Sequence, residues 1–266
     1  MSLSWRDRFE IALCSDEIAV RRLSTGWRSK EDIVVEHTTM DKLTDGFGEI
    51  LDRLASRGSR IPAIADIVLS ESFVRHALLP WSPLVRGKSE RAALMQACFE
   101  DAYGDPALSW RLVADRGEYD SPAPACGVEQ PLLARVAAVL ATRRIRLRSV
   151  TPFFCSVFNH CRPRLSLQPA VLAAGDSEWM ALATFVEGRW NSLRSIRLTN
   201  DPEDLFSALA RETVLQGLPK DARKLLCVPG EVHYRAGGGN MELLQPWGTL
   251  TKPKKSAALL KGCWLQ

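Results

Sequence analysis

Ala65-Asp-Ile-Val-Leu-Ser-Glu-Ser-Phe-Val-Arg-His-Ala-Leu-Leu-Pro80 is the stretch from which the fold of this chain is read. Ile67, Val68 and Leu69 run apolar without interruption, as in a strand covered on both faces. Ser70, Glu71 and Ser72 make a polar turn. Beyond it Val74, His76 and Leu78 point one way while Arg75, Ala77 and Leu79 point the other, the period-two pattern of a second strand. Pro80 has no N–H to donate and ends the ladder. The stretch implies a mixed sheet-and-helix domain and, by itself, no chemistry.

Upstream, Phe9 to Leu13 and Ile18 to Leu23 read as strands joined by Ser15-Asp16-Glu17, and Asp32 to Glu36 as a third. Phe47, Ile50, Leu51 and Leu54 recur at helical spacing, with Gly58 as the stop. Downstream, Ser89 caps a helix that runs to Tyr103 and closes at Gly104. Trp110 to Ala114 is a strand, Ser121 to Gly127 a Pro-rich surface loop, Leu132 to Leu140 a helix, and Arg144 to Val150 a strand ended by Pro152.

The mixture of Pro, Gly and polar residues at 162–178 marks a boundary, giving subdomains at 1–165 and 166–251 and a basic tail at 252–266. Past it the opening pattern returns. Trp179 to Val186 and Trp190 to Leu198 are strands around Glu187-Gly188-Arg189, Asp201-Pro202-Glu203-Asp204 starts a helix, and Lys224 to Val228 is a strand. This second copy lacks a clear third strand, and Val232 to Leu244 reads as a late hairpin around Gly237-Gly238-Gly239.

Composition excludes several classes. With 46% hydrophobic and 25% charged residues the chain is an ordinary globular protein. Thirty-five basic residues against 31 acidic ones leave a net charge of +4, too mild for nucleic acid or an acidic membrane as main partner. Seven cysteines form no short-loop framework and read as reduced thiols in a cytoplasmic protein. No window approaches eighteen apolar residues, and the N-terminus lacks the apolar core of a signal peptide.

Chemical motifs are each outweighed by a plainer reading. Gly87-Lys88-Ser89 lacks the upstream glycine of a phosphate loop, since Ser82 stands there. Gly237-Gly238-Gly239 lacks the strand-to-helix context of a phosphate cradle and reads as a turn. Cys155, His160 and Cys161 lack the second pair of a zinc site and read as thiols on a short helix. Arg144, Arg146 and Arg148 project from one strand face, and of all the candidates this basic stripe is the one kept, as a docking surface for an acidic partner. Four scattered histidines and the absence of a Gly-x-Ser-x-Gly elbow suggest no hydrolase. The first strand offers only Glu10 where a metal-dependent nuclease needs the first of several carboxylates.

Two tandem strand-strand-helix-strand units resemble the actin-like, ribonuclease-H-type fold: α/β, with tandem ribonuclease-H-like subdomains whose mixed sheets are flanked by helices. The segment Asp66 to Trp81, with its strand, small polar turn and strand ending in Leu-Pro, is similar to that of the type IV pilus assembly protein PilM family and its relative, the cytoplasmic domain of the type II secretion L component. The resemblance spans roughly residues 5–230. It implies a non-catalytic cytoplasmic scaffold, peripheral to the inner membrane, that binds the cytoplasmic segment of a single-span membrane protein and helps couple an assembly ATPase. Nucleotide-binding relatives carry Asp-x-Gly between the first two strands. Here the turn is Leu13-Cys14-Ser15-Asp16-Glu17-Ile18, with two acids and no glycine, which opposes a phosphate. Thr184 to Trp190, taken as its counterpart in the second half, offers Gly188 without an Asp-x-Gly. The resemblance thus implies a chain without ATP or any other cofactor, and an ATP-binding protein with a rearranged phosphate loop is the alternative.

Overall fold

The computed structural model describes residues 8–23, 32–37, 43–56, 63–165, 168–176, 178–199, 202–228 and 241–244. The first half runs β1 (Arg8–Leu13), β2 (Glu17–Leu23), β3 (Asp32–His37), α1 (Leu43–Ser56), β4 (Ile64–Leu69), β5 (Val74–Leu79), α2 (Lys88–Tyr103), β6 (Trp110–Ala114), β7 (Ala123–Glu129), α3 (Gln130–Thr142), β8 (Arg146–Pro152) and α4 (Phe153–Cys161). The second runs β9 (Ala170–Gly175), β10 (Trp179–Val186), β11 (Arg189–Arg197), α5 (Pro202–Leu215), β12 (Arg223–Cys227) and β13 (Met241–Leu243).

The halves repeat one topology. The first sheet has the order β3-β2-β1-β4-β8 and the second β11-β10-β9-β12-β13. In each, three strands meander antiparallel and two more join the opening strand's other side in parallel. A third sheet, β5-β7-β6, is inserted into the first half. The fold is therefore α/β with tandem mixed sheets flanked by helices.

Two elements depart from the sequence reading. Residues 170–175, placed in the boundary, are β9, the central strand of the second sheet, so the second copy has its full three-stranded meander. All six residues are buried, and Ala-Val-Leu-Ala-Ala-Gly has neither alternation nor β-branched bulk to announce a strand. Residues 123–127, read as a surface loop, belong to β7, the middle strand of its sheet. Pro124 is tolerated because it faces the β6 side at the end of the ladder. There its carbonyl accepts the Asp115 N–H at 2.9 Å, beyond the last residue of β6, so the missing N–H breaks no ladder bond. Met241–Leu243, the end of the expected late hairpin, pairs parallel to β12, and the first arm of that hairpin lies outside the described residues. The triple glycine and the basic tail lie outside the described residues.

Helices α1 and α3 cover the outer face of the first sheet through Phe9, Ile11, Phe47, Ile50, Leu132 and Leu140. Helix α5 covers the outer face of the second through Leu205, Ala208 and Leu209. Between the two sheets a common core, including Ala12, Val68, Phe153, Leu172 and Leu225, gathers around α4. The inserted sheet carries α2 on one face, with Phe99 packed against Ala77, Leu79 and Ala125. Helix α2 begins one residue before the expected cap: Glu90 reaches back to accept the N–H groups of Gly87 (3.0 Å) and Arg86 (2.7 Å), satisfying two groups at the helix entry.

A buried acid pins α5. Glu212, fully buried, accepts Ser192 Oγ at 3.0 Å and Arg194 Nε at 2.8 Å from β11. Glu212→Ala strands both donors and is expected to lower stability by about 2 kcal/mol. Urea unfolding monitored by circular dichroism checks this, and Glu212→Gln, which still accepts one bond, should lose less.

Candidate functional site

The strand alternation read in β5 decides what faces the inside of the inserted sheet. Ala77 and Leu79 point to α2, and His76 points away from it. On the neighbouring strands, Cys126 and Val128 of β7 and Arg111 and Val113 of β6 share the His76 side. Gly127 permits the opposite face to close: a Cβ there would stand 2.8 Å from Leu112 and 2.9 Å from Trp110.

Facing His76 across the gap are the end of β8 and the first turns of α4. Between them lies a cavity of about 500 Å³, within the range of ligand sites. One wall is aromatic: Phe158 stands 4.5 Å from Trp190 and Phe154 5.1 Å from His76, centroid to centroid. Val150, Thr151 and Pro152 of β8 form another, and Val113, 55% exposed, stands at the mouth. Two thiols line the space, and burial raises both: Cys126 is pushed up to about 12 and Cys155 well above its ordinary value. They are protonated and inert toward electrophiles at neutral pH.

The cavity sits between two open sheet edges. β6 ends the inserted sheet and β8 ends the first sheet, and neither has a further neighbouring strand among the described residues. The opposite edge strand of the inserted sheet is covered, since β5 lies against β11 and the His76 N–H donates to Ser195 Oγ at 2.9 Å.

Beneath the cavity the Ser70-Glu71-Ser72 turn, a short 3-10 helix over Glu71–Phe73, ties the halves together. Glu71, 1% exposed, accepts the Phe154 N–H at 2.8 Å through Oε1 and lies 2.7 Å from His76 Nε2 through Oε2. On either side of it, Ser70 Oγ and Ser72 Oγ (2.7 Å) donate to Oδ2 of Asp176 in the second half. Asp176 Oδ1 accepts the N–H groups of Glu178 (2.9 Å) and Trp179 (2.8 Å), closing its own turn. The Ser70 N–H donates to Leu13 O at 2.9 Å, so Ser70 joins the β1–β2 turn directly to the β9–β10 turn.

That arrangement corrects the second-half counterpart of the first turn. The repeat aligns β1–β2 with β9–β10, so the equivalent turn is Gly175 to Trp179 rather than Thr184 to Trp190, and it does hold a glycine beside an acid. A Cβ at Gly175 would lie 2.2 Å from Trp179 O, so the glycine serves the tight turn. Arg144 precedes β8 in a turn at φ 57°. Arg146 and Arg148 are both exposed on β8, and Arg148 also pairs with Asp66 (Nε to Oδ1 2.7 Å) at a register shift in the ladder. None of the three lines the cavity. Cys161 packs in the common core while Cys155 faces the cavity, so the Cys155-His160-Cys161 run is split across α4. No three His, Cys, Asp or Glu side chains converge as metal ligands among the described residues.

No protein-family model matches the chain, and no curated protein matches it. Solved structures do. A chain of the PilM-PilN type IV pilus biogenesis complex is similar at TM-score 0.64 and 12% identity, over 96% of this chain and 97% of that one. The cytoplasmic domain of EpsL, an inner-membrane component of the type II secretion system of Vibrio cholerae, is similar at 0.55 and 11%, over 96% and 92%. A protein of unknown function with actin-like ATPase fold from Bacteroides thetaiotaomicron VPI-5482 is similar at 0.59 and 10%, over 86% and 84%. The fold is actin-like. At these identities the likeness extends to architecture alone. The actin-like chain described here has no helix long and apolar enough to cross a membrane among its described residues.

Proposed function

We propose that this protein is a non-catalytic cytoplasmic scaffold of a type IV pilus or type II secretion-like assembly. It holds the cytoplasmic segment of a single-span inner-membrane protein and engages the assembly ATPase. The observation that carries the reading is the apolar cavity between the open edges of β6 and β8. An extended segment entering there gains main-chain hydrogen bonds from an edge and buries alternate side chains in the cavity, the physics of strand addition. The occupant is accordingly an extended, mainly apolar stretch of the membrane partner. Two of the similar structures belong to pilus and secretion systems, one as a complex and one as a component's cytoplasmic domain, which supports this choice of partner.

The same reading has no nucleotide in it. Ser70 ties the two equivalent turns to each other, and all four hydrogen bonds to the Asp176 carboxylate come from the protein itself. Asp16 and Asp176 add like charge where a phosphate would sit. Mg-ATP is expected to leave the melting temperature unchanged, and a saturable rise would favour the ATP-binding alternative.

The deciding experiment is affinity purification of the tagged full chain from its own cells after mild cross-linking, with mass spectrometry of what is captured. A single-span inner-membrane component of a pilus or secretion system is expected. Val113→Trp, which plugs the mouth from an exposed position, is expected to reduce its recovery at least tenfold, while stability stays within about 0.5 kcal/mol. Recovery of no such component over a clean control overturns the proposal.

A further inference from the structure

Buried polar atoms in folded proteins are hydrogen-bonded, and an exception calls for a reason. His76 is one. The residue is 2% exposed and lines the cavity. Its backbone is engaged by Ser195 and Tyr103 and its Nε2 by Glu71, but its Nδ1 has no partner among the described residues. Cys126, its cross-strand neighbour on the same face, makes no hydrogen bond to it.

A carboxylate can only accept, so opposite Glu71 the proton of a neutral His76 ring belongs on Nε2. Glu71 already accepts at Oε1 from the Phe154 N–H, and its Oε2 accepts from Nε2–H of His76. In the neutral ring this leaves Nδ1 as a bare acceptor. An acceptor without a donor, in a cavity that Arg111, Asp115, Thr151 and Asn159 also line but in which none of them bonds it, favours a ligand that brings one.

We propose that His76 is the specificity-determining residue of the cavity, accepting at Nδ1 a hydrogen bond from a single amide or hydroxyl group on the segment that enters. This rests on the reading of the cavity as a docking site. The partner segment then carries an uncharged donor opposite His76, and its apolar neighbours fill the aromatic wall on one side and the β8 wall on the other. An occupant of the same shape without the donor leaves Nδ1 unpaired under cover and binds less well, because a buried polar group denied its partner loses its hydration with nothing in exchange.

Hexanamide and N,N-dimethylhexanamide test this on the full chain. They share an acyl chain and carbonyl, and only the first has N–H donors. The variant is His76→Gln: its amide nitrogen reaches the place of Nε2 and still donates to Glu71, and nothing replaces Nδ1. Wild type is expected to prefer hexanamide by about tenfold relative to the preference shown by His76→Gln, the effect of one buried hydrogen bond. The chain has four histidines, so 15N-histidine spectra resolve the site even if the variant fails to fold. Hexanamide should move the His76 Nδ1 resonance and the tertiary amide should not. Equal preference in wild type and variant, an unmoved Nδ1 resonance, or no binding of either amide overturns the role of His76. The docking reading falls separately, on capture of the partner and its loss with Val113→Trp.

Discussion

Glu71→Ala is expected to destabilise the protein by about 3–4 kcal/mol, more than any other single substitution considered for this chain. The carboxylate is buried, and its two oxygens serve groups from different elements: the Phe154 N–H at the head of α4 and Nε2 of His76 on β5. Truncation strands both donors in a space that water does not readily fill, and the cost is the desolvation of each without its partner. Glu71→Gln keeps an acceptor for Phe154 and offers an amide to His76, whose ring changes tautomer to accept, so its loss is expected near 1 kcal/mol. Urea denaturation separates the two: an alanine effect no larger than the glutamine effect would mean that the pair contributes little.

Asp176→Ala is expected to cost about 3 kcal/mol and to divide the unfolding transition. Its carboxylate accepts two backbone N–H groups within the β9–β10 turn and two serine hydroxyls from the first half. Loss of the first pair loosens the turn; loss of the second uncouples it from the 3-10 helix at Glu71. Arg75, with its guanidinium carbon 3.4 Å above the Trp179 ring, remains to hold the contact, so the halves should stay docked under native conditions and separate at lower denaturant. Asp176→Asn retains the turn acceptor, and the serine hydroxyls rotate to accept from its amide. It should restore most of the stability and a single transition. One steep transition for Asp176→Ala, at the wild-type midpoint, would contradict the assignment.

The strands announced by alternation or by a clean apolar run were legible in the sequence. β5 and β6 fall where their patterns place them, and β10 does so to the residue. β9 was not, because a fully buried strand built largely of alanine looks like any small-residue segment. Its omission shifted the reading of the repeat by one strand and put the wrong turn opposite Leu13 to Ile18. β7 was hidden by Pro124, whose cost depends on which neighbour its missing N–H would face, a fact of sheet order that composition does not carry. The site was less legible still. Glu71 and His76 lie five residues apart across a turn, and nothing in that spacing says that one carboxylate holds both His76 and the N–H of Phe154, 83 residues from Glu71. The arginines show the converse: their spacing is regular, yet Arg144 sits in a turn before β8 and Arg148 is paired with Asp66.

The open edges beside the cavity also bear on how copies of this chain behave toward one another. An uncovered strand recruits any other extended backbone, including that of a sister molecule, and β6 presents Val113 outward to encourage it. Arg111, exposed on the same strand, puts a positive charge where a second copy would have to place its own. Like charge discourages the self-pairing that the backbone would otherwise accept. The chain made alone should therefore stay dispersed at low ionic strength and cluster as salt screens that charge. Co-synthesis with the partner would remove the hazard by filling the edge.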